Sequence, residues 1–177
     1  MCEITDHVTR FCGSNAGGIT NVWMIATQDI ASEGTISGTT HELSALPTLE
    51  ATKSFFRVEF TEETGIADDM LTGEKDAEYV QLDLKFTVPG LLRANVAQYQ
   101  KFLGGRFVFV VQYTDGQARQ FGSKTNGLSV KPAQKSGQYA GTARRGAEFE
   151  CKGVSATYAP FLSPADLITF VSTLVAA

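Results

Sequence analysis

Apolar and polar residues alternate with period two along much of the chain, regularly enough to mark strands. Over residues 79–88, Val80, Leu82, Leu84, Phe86 and Val88 point one way, and Gln81, Asp83, Lys85 and Thr87 point the other. One apolar and one polar face predicts an antiparallel sheet or barrel, because strands of parallel sheets are covered on both faces. Residues 55–61 alternate over a shorter run, with Phe56, Val58 and Phe60 opposite Arg57 and Glu59. Residues 106–113 are apolar on both faces and are expected at the centre of the sheet. Residues 19–27 are rich in β-formers, and residues 34–43 read as a weaker strand or extended segment. Asp115-Gly116 predicts a hairpin turn into a return strand over residues 117–121. Asn126-Gly127 marks another turn before a strand over residues 128–134. A further strand over residues 147–158 sets Phe149 and Cys151 against Glu148, Glu150 and Lys152.

Two stretches change period. Pro89-Gly90 ends the best strand, and Leu92, Val96, Tyr99 and Leu103 then recur at helical spacing, predicting a helix over residues 91–103 that Gly104-Gly105 stops. Ser163-Pro164-Ala165-Asp166 combines an N-cap, a proline at the first helical position and an acid in the first turn, so a short helix is expected from residue 164 to about residue 175. Seven or more strands with these helices predict a mainly β fold. The expectation is an antiparallel β-barrel or sandwich with one middle helix and a short C-terminal helix, forming a single domain over residues 1–177.

Composition narrows the function classes. Charged residues are 19% of the 177, Gly contributes 17, and the net charge is -4. A binder that neutralises nucleic-acid phosphates needs a dense Lys/Arg footprint, which this balance lacks. Cys2, Cys12 and Cys151 are odd in number and irregularly spaced, so they read as free thiols in a reducing compartment. No basic-then-apolar leader opens the chain and no apolar run reaches the ~20 residues of a membrane span, so neither a signal peptide nor membrane insertion is expected.

The tests for chemistry return little. His7 and His41 are the only histidines, and the spacing of Cys2, His7 and Cys12 fits no zinc pattern. The glycine-rich run over residues 13–18 lacks the Gly-Lys-Ser/Thr ending of a phosphate loop and precedes a strand. Arg144-Arg145-Gly146 reads more simply as a solvated turn than as an anion contact. No nucleophile–base pair, metal set or cofactor loop is visible, so neither an enzyme nor a bound cofactor is expected. The acidic stretch from Glu59 to Glu78, opposed only by Lys75, reads as a solvated loop between two strands. A second reading makes it a negative surface that repels DNA or meets a basic patch on a neighbouring copy.

From residue 79 onward the features fall in a telling order. The strand ending Phe86-Thr87-Val88-Pro89-Gly90 leads to the helix, then to the strong strand 107–113, the Thr114-Asp115-Gly116 turn and a return strand closing on Phe121-Gly122. Ser136-Gly137, Arg145-Gly146, the Ala147-Glu148-Phe149-Glu150-Cys151 strand and Ala159-Pro160-Phe161 follow, and the Cys12-to-Ile19 opening fits the same series. This order resembles the tail tube proteins of tailed phages infecting Bacteroidetes-type bacteria, over about two-thirds of the chain. The resemblance implies a virion structural protein, made in the bacterial host cytoplasm. Its copies form rings, commonly hexameric, whose strands join into one β-barrel around a channel for DNA passage, with rings stacked on one another. Copies of itself and other tail proteins are the implied partners, and DNA passes without specific binding. Gln81, Asp83, Lys85 and Thr87 would face the channel, expected to be net negative. Glu62, Glu63, Asp68, Asp69, Glu74 and Asp76 would form the loop that stacks ring on ring. The alternatives are a tail terminator, head–tail connector or minor tail protein forming a single ring, and a ligand-binding β module built around Trp23 and the tyrosines.

Overall fold

The computed structural model describes residues 18–61, 64–75, 77–90, 92–136 and 145–175. Cys2, His7, Cys12, Glu62, Glu63, Asp76, Arg144 and the glycine-rich run ahead of Gly18 lie outside the described residues. The chain is mainly β and pairs its strands antiparallel. In order it forms β1 (Ile19–Ala26), β2 (Ile30–Ser32), β3 (Thr35–Ile36), β4 (Leu43–Ala45), β5 (Thr48–Leu49), β6 (Phe56–Val58), β7 (Ile66–Thr72) and β8 (Tyr79–Pro89). Helix α1 (Arg93–Tyr99) follows, then β9 (Arg106–Tyr113), β10 (Ala118–Phe121), β11 (Leu128–Lys135), β12 (Gly146–Ser155), β13 (Phe161–Leu162) and helix α2 (Pro164–Thr173).

The main sheet runs β13-β10-β9-β11-β12-β8-β7, and β1 lies on the other edge of β9 with β6 beyond it. β9 is therefore the hub, and its two apolar faces serve two cores. Phe107, Phe109 and Val111 join the alternating face of β8, together with Phe149 and Cys151 of β12, in one core. Val108 and Val110 face the other way, into a core with Trp23, Phe55 and Phe170. Trp23 and Phe55 both meet the Phe170 ring edge-on, at 5.6 and 4.8 Å, which fixes α2 against the sheet. This burial makes Trp23 a core residue and removes the expectation that it lines a ligand pocket.

Two expectations on apolar faces are corrected. Phe55, not Phe56, is the fully buried member of its pair. Its N–H donates to the Leu174 carbonyl at 2.6 Å, which ties it to the end of α2 and turns Phe56 outward. In the middle helix Leu92 and Leu103 are exposed, and Val96, Tyr99 and Phe102 do the packing. The physical reason is a change of pitch. After Tyr99 the backbone tightens into a 3-10 turn over Gln100–Phe102, so the next inward position comes three residues later, at Phe102 rather than Leu103. Gly104, at φ +73°, then turns the chain back into β9.

Strand pairing does not close the main sheet into a barrel among the described residues. The sheet curls instead, and two links span the gap. Thr61 N–H donates to the Thr87 carbonyl at 2.7 Å, joining the chain after β6 to β8. Arg119 of β10 reaches across to Asp69 of β7.

Candidate assembly surfaces

β7, β8, β12 and β11 form four consecutive antiparallel strands. Their inner face is the first core. Their outer face carries Gln81, Asp83, Lys85 and Thr87 of β8, as the alternation predicts, because β8 buries every second residue. The register extends that face sideways. Asp68 of β7 lies opposite Asp83, Lys152 and Glu150 of β12 lie opposite Asp83 and Lys85, and Ser129 and Lys131 of β11 complete the rows. Ion pairs lace it: Lys152 to Glu150 at 2.9 Å, Lys85 to Glu150 at 3.7 Å and Lys135 to Glu148 at 2.6 Å. The two lysines hold the Glu150 carboxyl below the usual carboxylate range, Lys152 contributing more through its hydrogen bond and charge.

The net negative face expected from the sequence is corrected by this register. Asp68, Asp83, Glu148 and Glu150 are balanced by Lys85, Lys131, Lys135 and Lys152. The acids of β8 were visible alone in sequence, whereas their lysine partners arrive from β11 and β12, distant along the chain.

The acidic stretch is also corrected: it is not one loop. Ile66–Thr72 is a strand, because pairing with β8 from Ile66↔Lys85 to Thr72↔Tyr79 satisfies its backbone. Asp68 and Asp69 therefore point to opposite faces. Asp69 points inward. Arg119 Nη1 donates to Asp69 Oδ1 at 2.9 Å and Nη2 donates to Oδ2, while the Ala159 N–H donates to Oδ2 at 3.1 Å. Arg119 Nε and Nη2 also donate to the Ala159 carbonyl at 3.0 and 2.8 Å, and the guanidinium lies 4.7 Å from the Phe161 ring centroid. With side chains only 14% and 12% exposed, this pair is an internal clamp from β7 to the far side of the curled sheet. Of the expected stacking loop, Glu74 remains in the turn between β7 and β8, while Glu62, Glu63 and Asp76 lie outside the described residues.

Both edges of the four-strand unit are open among the described residues. No strand pairs with the outer edge of β7. β11 pairs with β9 only at Leu128 and Ser129, so residues 130–135 have a strand partner on the β12 side alone. Pro132 sits in that stretch, a position proline tolerates because no ladder partner needs its missing N–H. Met70 on β7 is 63% exposed, and Ile66 and Leu71 are exposed as well.

At the α1 end, a cleft of about 1250 Å³ runs between the middle helix and the β1–β6 pair. Phe56, Val58, Phe86, Phe102 and Phe107 are among its apolar lining residues, and Lys53, Arg57, Lys101 and Arg106 are its basic ones. Asp29 is already engaged with Lys53 at 3.0 Å. The Tyr99 hydroxyl is buried beside the Asn95 side chain, and burial pushes its pKa above the ordinary tyrosine value. Cys151 is fully buried in the first core, and burial drives its thiol strongly upward, away from the reactive thiolate. No three His, Cys, Asp or Glu side chains converge as metal ligands among the described residues. No helix among them is long and apolar enough to cross a membrane.

Comparison with protein-family models, with curated proteins and with solved structures gives no match in any of the three.

Proposed function

We propose that this chain is a self-assembling structural subunit, a tail tube protein of a tailed phage, whose work is architecture and not catalysis. The observation that carries the reading is the pair of open edges on the four-strand unit, β7 on one side and β11 on the other. Alternation through four antiparallel strands leaves β7 and β11 antiparallel to each other. Neighbours related by rotation about the strand direction therefore meet β7 to β11 in the pairing sense the rest of the sheet uses. An even strand number lets a ring of any size close this way, and closure removes edges that otherwise invite uncontrolled pairing.

The charges favour the same junction. Asp68 lies on the outer face at the β7 edge, and Lys131 and Lys135 lie on that face at the β11 edge. A β7–β11 junction sets the aspartate of one copy beside lysines of the next, a favourable cross-strand arrangement. The charge-balanced outer face would then line the channel. Such a lining offers DNA neither a net grip nor a net repulsion, since salt-dependent grip grows with each neutralised phosphate. The virion tail, other tail proteins and passing DNA follow from this reading as location and partners.

Negative-stain images of concentrated protein test it, and rings or tubes are the expected result. Lys131→Glu sets an acid against Asp68 of the neighbour, so its assembly midpoint should rise at least tenfold in concentration, with Asp68→Lys on the same chain restoring it. A single ring that never stacks selects the terminator or connector alternative. Monomer at every concentration and salt sinks the proposal.

A further inference from the structure

Two turns place an exposed acid or amide side chain directly before a glycine, Asp115-Gly116 and Asn126-Gly127. Glycine has no Cβ, so its backbone nitrogen is open to the side-chain carbonyl carbon of the residue before it. The sequence marks both turns alike, and hydrogen bonding separates them. The Gly116 N–H donates to the Tyr113 carbonyl at 3.0 Å, and the Gln117 N–H donates to Asp115 Oδ1 at 2.9 Å. Both reacting groups of the first turn are therefore held. In the second turn the bonds fall to either side of the reacting atoms. The Asn126 N–H donates to Ser123 Oγ at 3.0 Å, the Ser123 N–H donates to the Asn126 carbonyl at 3.1 Å, and Arg106 Nη1 donates to the Gly127 carbonyl at 3.4 Å. Neither the Asn126 side-chain amide nor the Gly127 N–H makes a hydrogen bond among the described residues. Asn21 and Asn95, the other described asparagines, each precede a valine, whose branched side chain crowds the nitrogen. Asn21 Nδ2 also donates to Gln112 Oε1 at 2.9 Å.

We infer that Asn126 is a site of spontaneous deamidation, closing on the Gly127 nitrogen to a succinimide. The bond from the Gly127 nitrogen to Asn126 Cγ forms, the Gly127 N–H proton passes to solvent, the Cγ–Nδ2 bond breaks and ammonia leaves. Water then opens the ring at either carbonyl. One opening gives aspartate. The other gives isoaspartate, whose main chain runs through Cβ and Cγ and is one carbon longer. That carbon falls where the fold has no slack. Gly127 is buried, and a Cβ on it would strike the Thr27 methyl and stand 3.0 Å from Arg106 Cβ and 3.1 Å from the Phe107 nitrogen. The next two residues make the β11–β9 pairs, Leu128↔Phe107 and Ser129↔Arg106. Isoaspartate at residue 126 therefore loosens the joint between β9 and the four-strand unit, whereas aspartate adds only a charge. The inference stands independently of the assembly reading.

The test incubates the folded protein in water labelled with heavy oxygen and follows both turns by mass spectrometry of digests. Free peptides spanning residues 123–129 and 113–118 supply the reference rates. Loss of the amide nitrogen with uptake of heavy oxygen is expected at Asn126, within about tenfold of its peptide's rate, while Asp115 is slowed at least tenfold more relative to its own peptide. Asn126 still intact when its peptide has fully converted, or equal slowing at the two turns, overturns the inference. Asn126→Gln keeps an exposed amide but needs a larger ring, and should react at least tenfold more slowly. Conversion of that variant at the parent rate also overturns it. Isoaspartyl and aspartyl peptides separate after digestion, so hydrogen exchange at Leu128 and Ser129 can be read for each. Exchange at least tenfold faster in the isoaspartyl form is expected, with Asn126→Asp matching the parent. Equal exchange in the isoaspartyl form and the Asn126→Asp variant would sink the link to the β9–β11 joint.

Discussion

At the scale of single residues, Asp69 and Arg119 matter most. β7 contributes few buried apolar groups: Ala67 is half-buried, and Ile66, Met70 and Leu71 are exposed. Apart from its pairing with β8, the Asp69 clamp is what holds this strand to the body of the fold. Removing one partner leaves a poorly solvated charge, a loss of the order of 3 kcal/mol. Asp69→Ala also orphans the Ala159 N–H. It is expected to lower the urea midpoint by an amount matching ~3 kcal/mol, whereas Asp68→Ala, exposed and on the other face of the same strand, changes it little. Equal effects from the two aspartates would show that the clamp carries no special weight. Neither role was legible in the sequence. Arg119 sits in a short return strand where a charged residue reads as solvent-facing, and Asp69 sits among acids that suggest a loop. The usable signal was the alternation of Ala67, Asp69 and Leu71, which marks a shared face once the segment is accepted as a strand.

Elements divide by how local their causes are. β8, the β9–β10 hairpin, β12 and the N-terminus of α2 follow from nearby residues. Alternation fixes the first, Asp115-Gly116 the second, and the Ser163 hydroxyl, which accepts the Asp166 N–H at 3.1 Å, the last. β7 was missed because edge strands bury little and can afford charges, so composition there argues for solvent whatever the backbone does. The inward positions of the middle helix were misread at its ends, because a 3-10 turn shifts the period from sequence-invisible tertiary causes. The turn between β7 and β8 carries a prediction of its own. Gly73→Ala forces a side chain into a backbone conformation that L-residues rarely adopt, and against the Ala77 carbonyl, costing about 1–3 kcal/mol. Hydrogen exchange should quicken first at the Thr72–Tyr79 pair, with the β12–β8 ladder protected as before. Loss of protection spread evenly over both ladders would mean that the turn does not form an independent local unit.

For the whole molecule, the sequence carried the mainly β class and its two helices, but not how charge is distributed in space, and that distribution bears on how the proposed ring junction would hold. The proposed ring junction would pair backbone along β7 and β11, with one row of charges beside it. Screening length falls from about 10 Å at 0.1 M salt to about 3 Å at 1 M. Exposed pairs lose most of their attraction over that range, while backbone hydrogen bonds and apolar burial do not weaken with it. Raising sodium chloride from about 0.1 to about 1 M should therefore leave rings standing in sedimentation and micrographs, while shrinking the assembly defect of Lys131→Glu as its acid is screened from Asp68 of the neighbour. Were rings to dissolve over that range, the lateral junction would be mainly electrostatic, and the backbone edges of β7 and β11 would not be what joins neighbours.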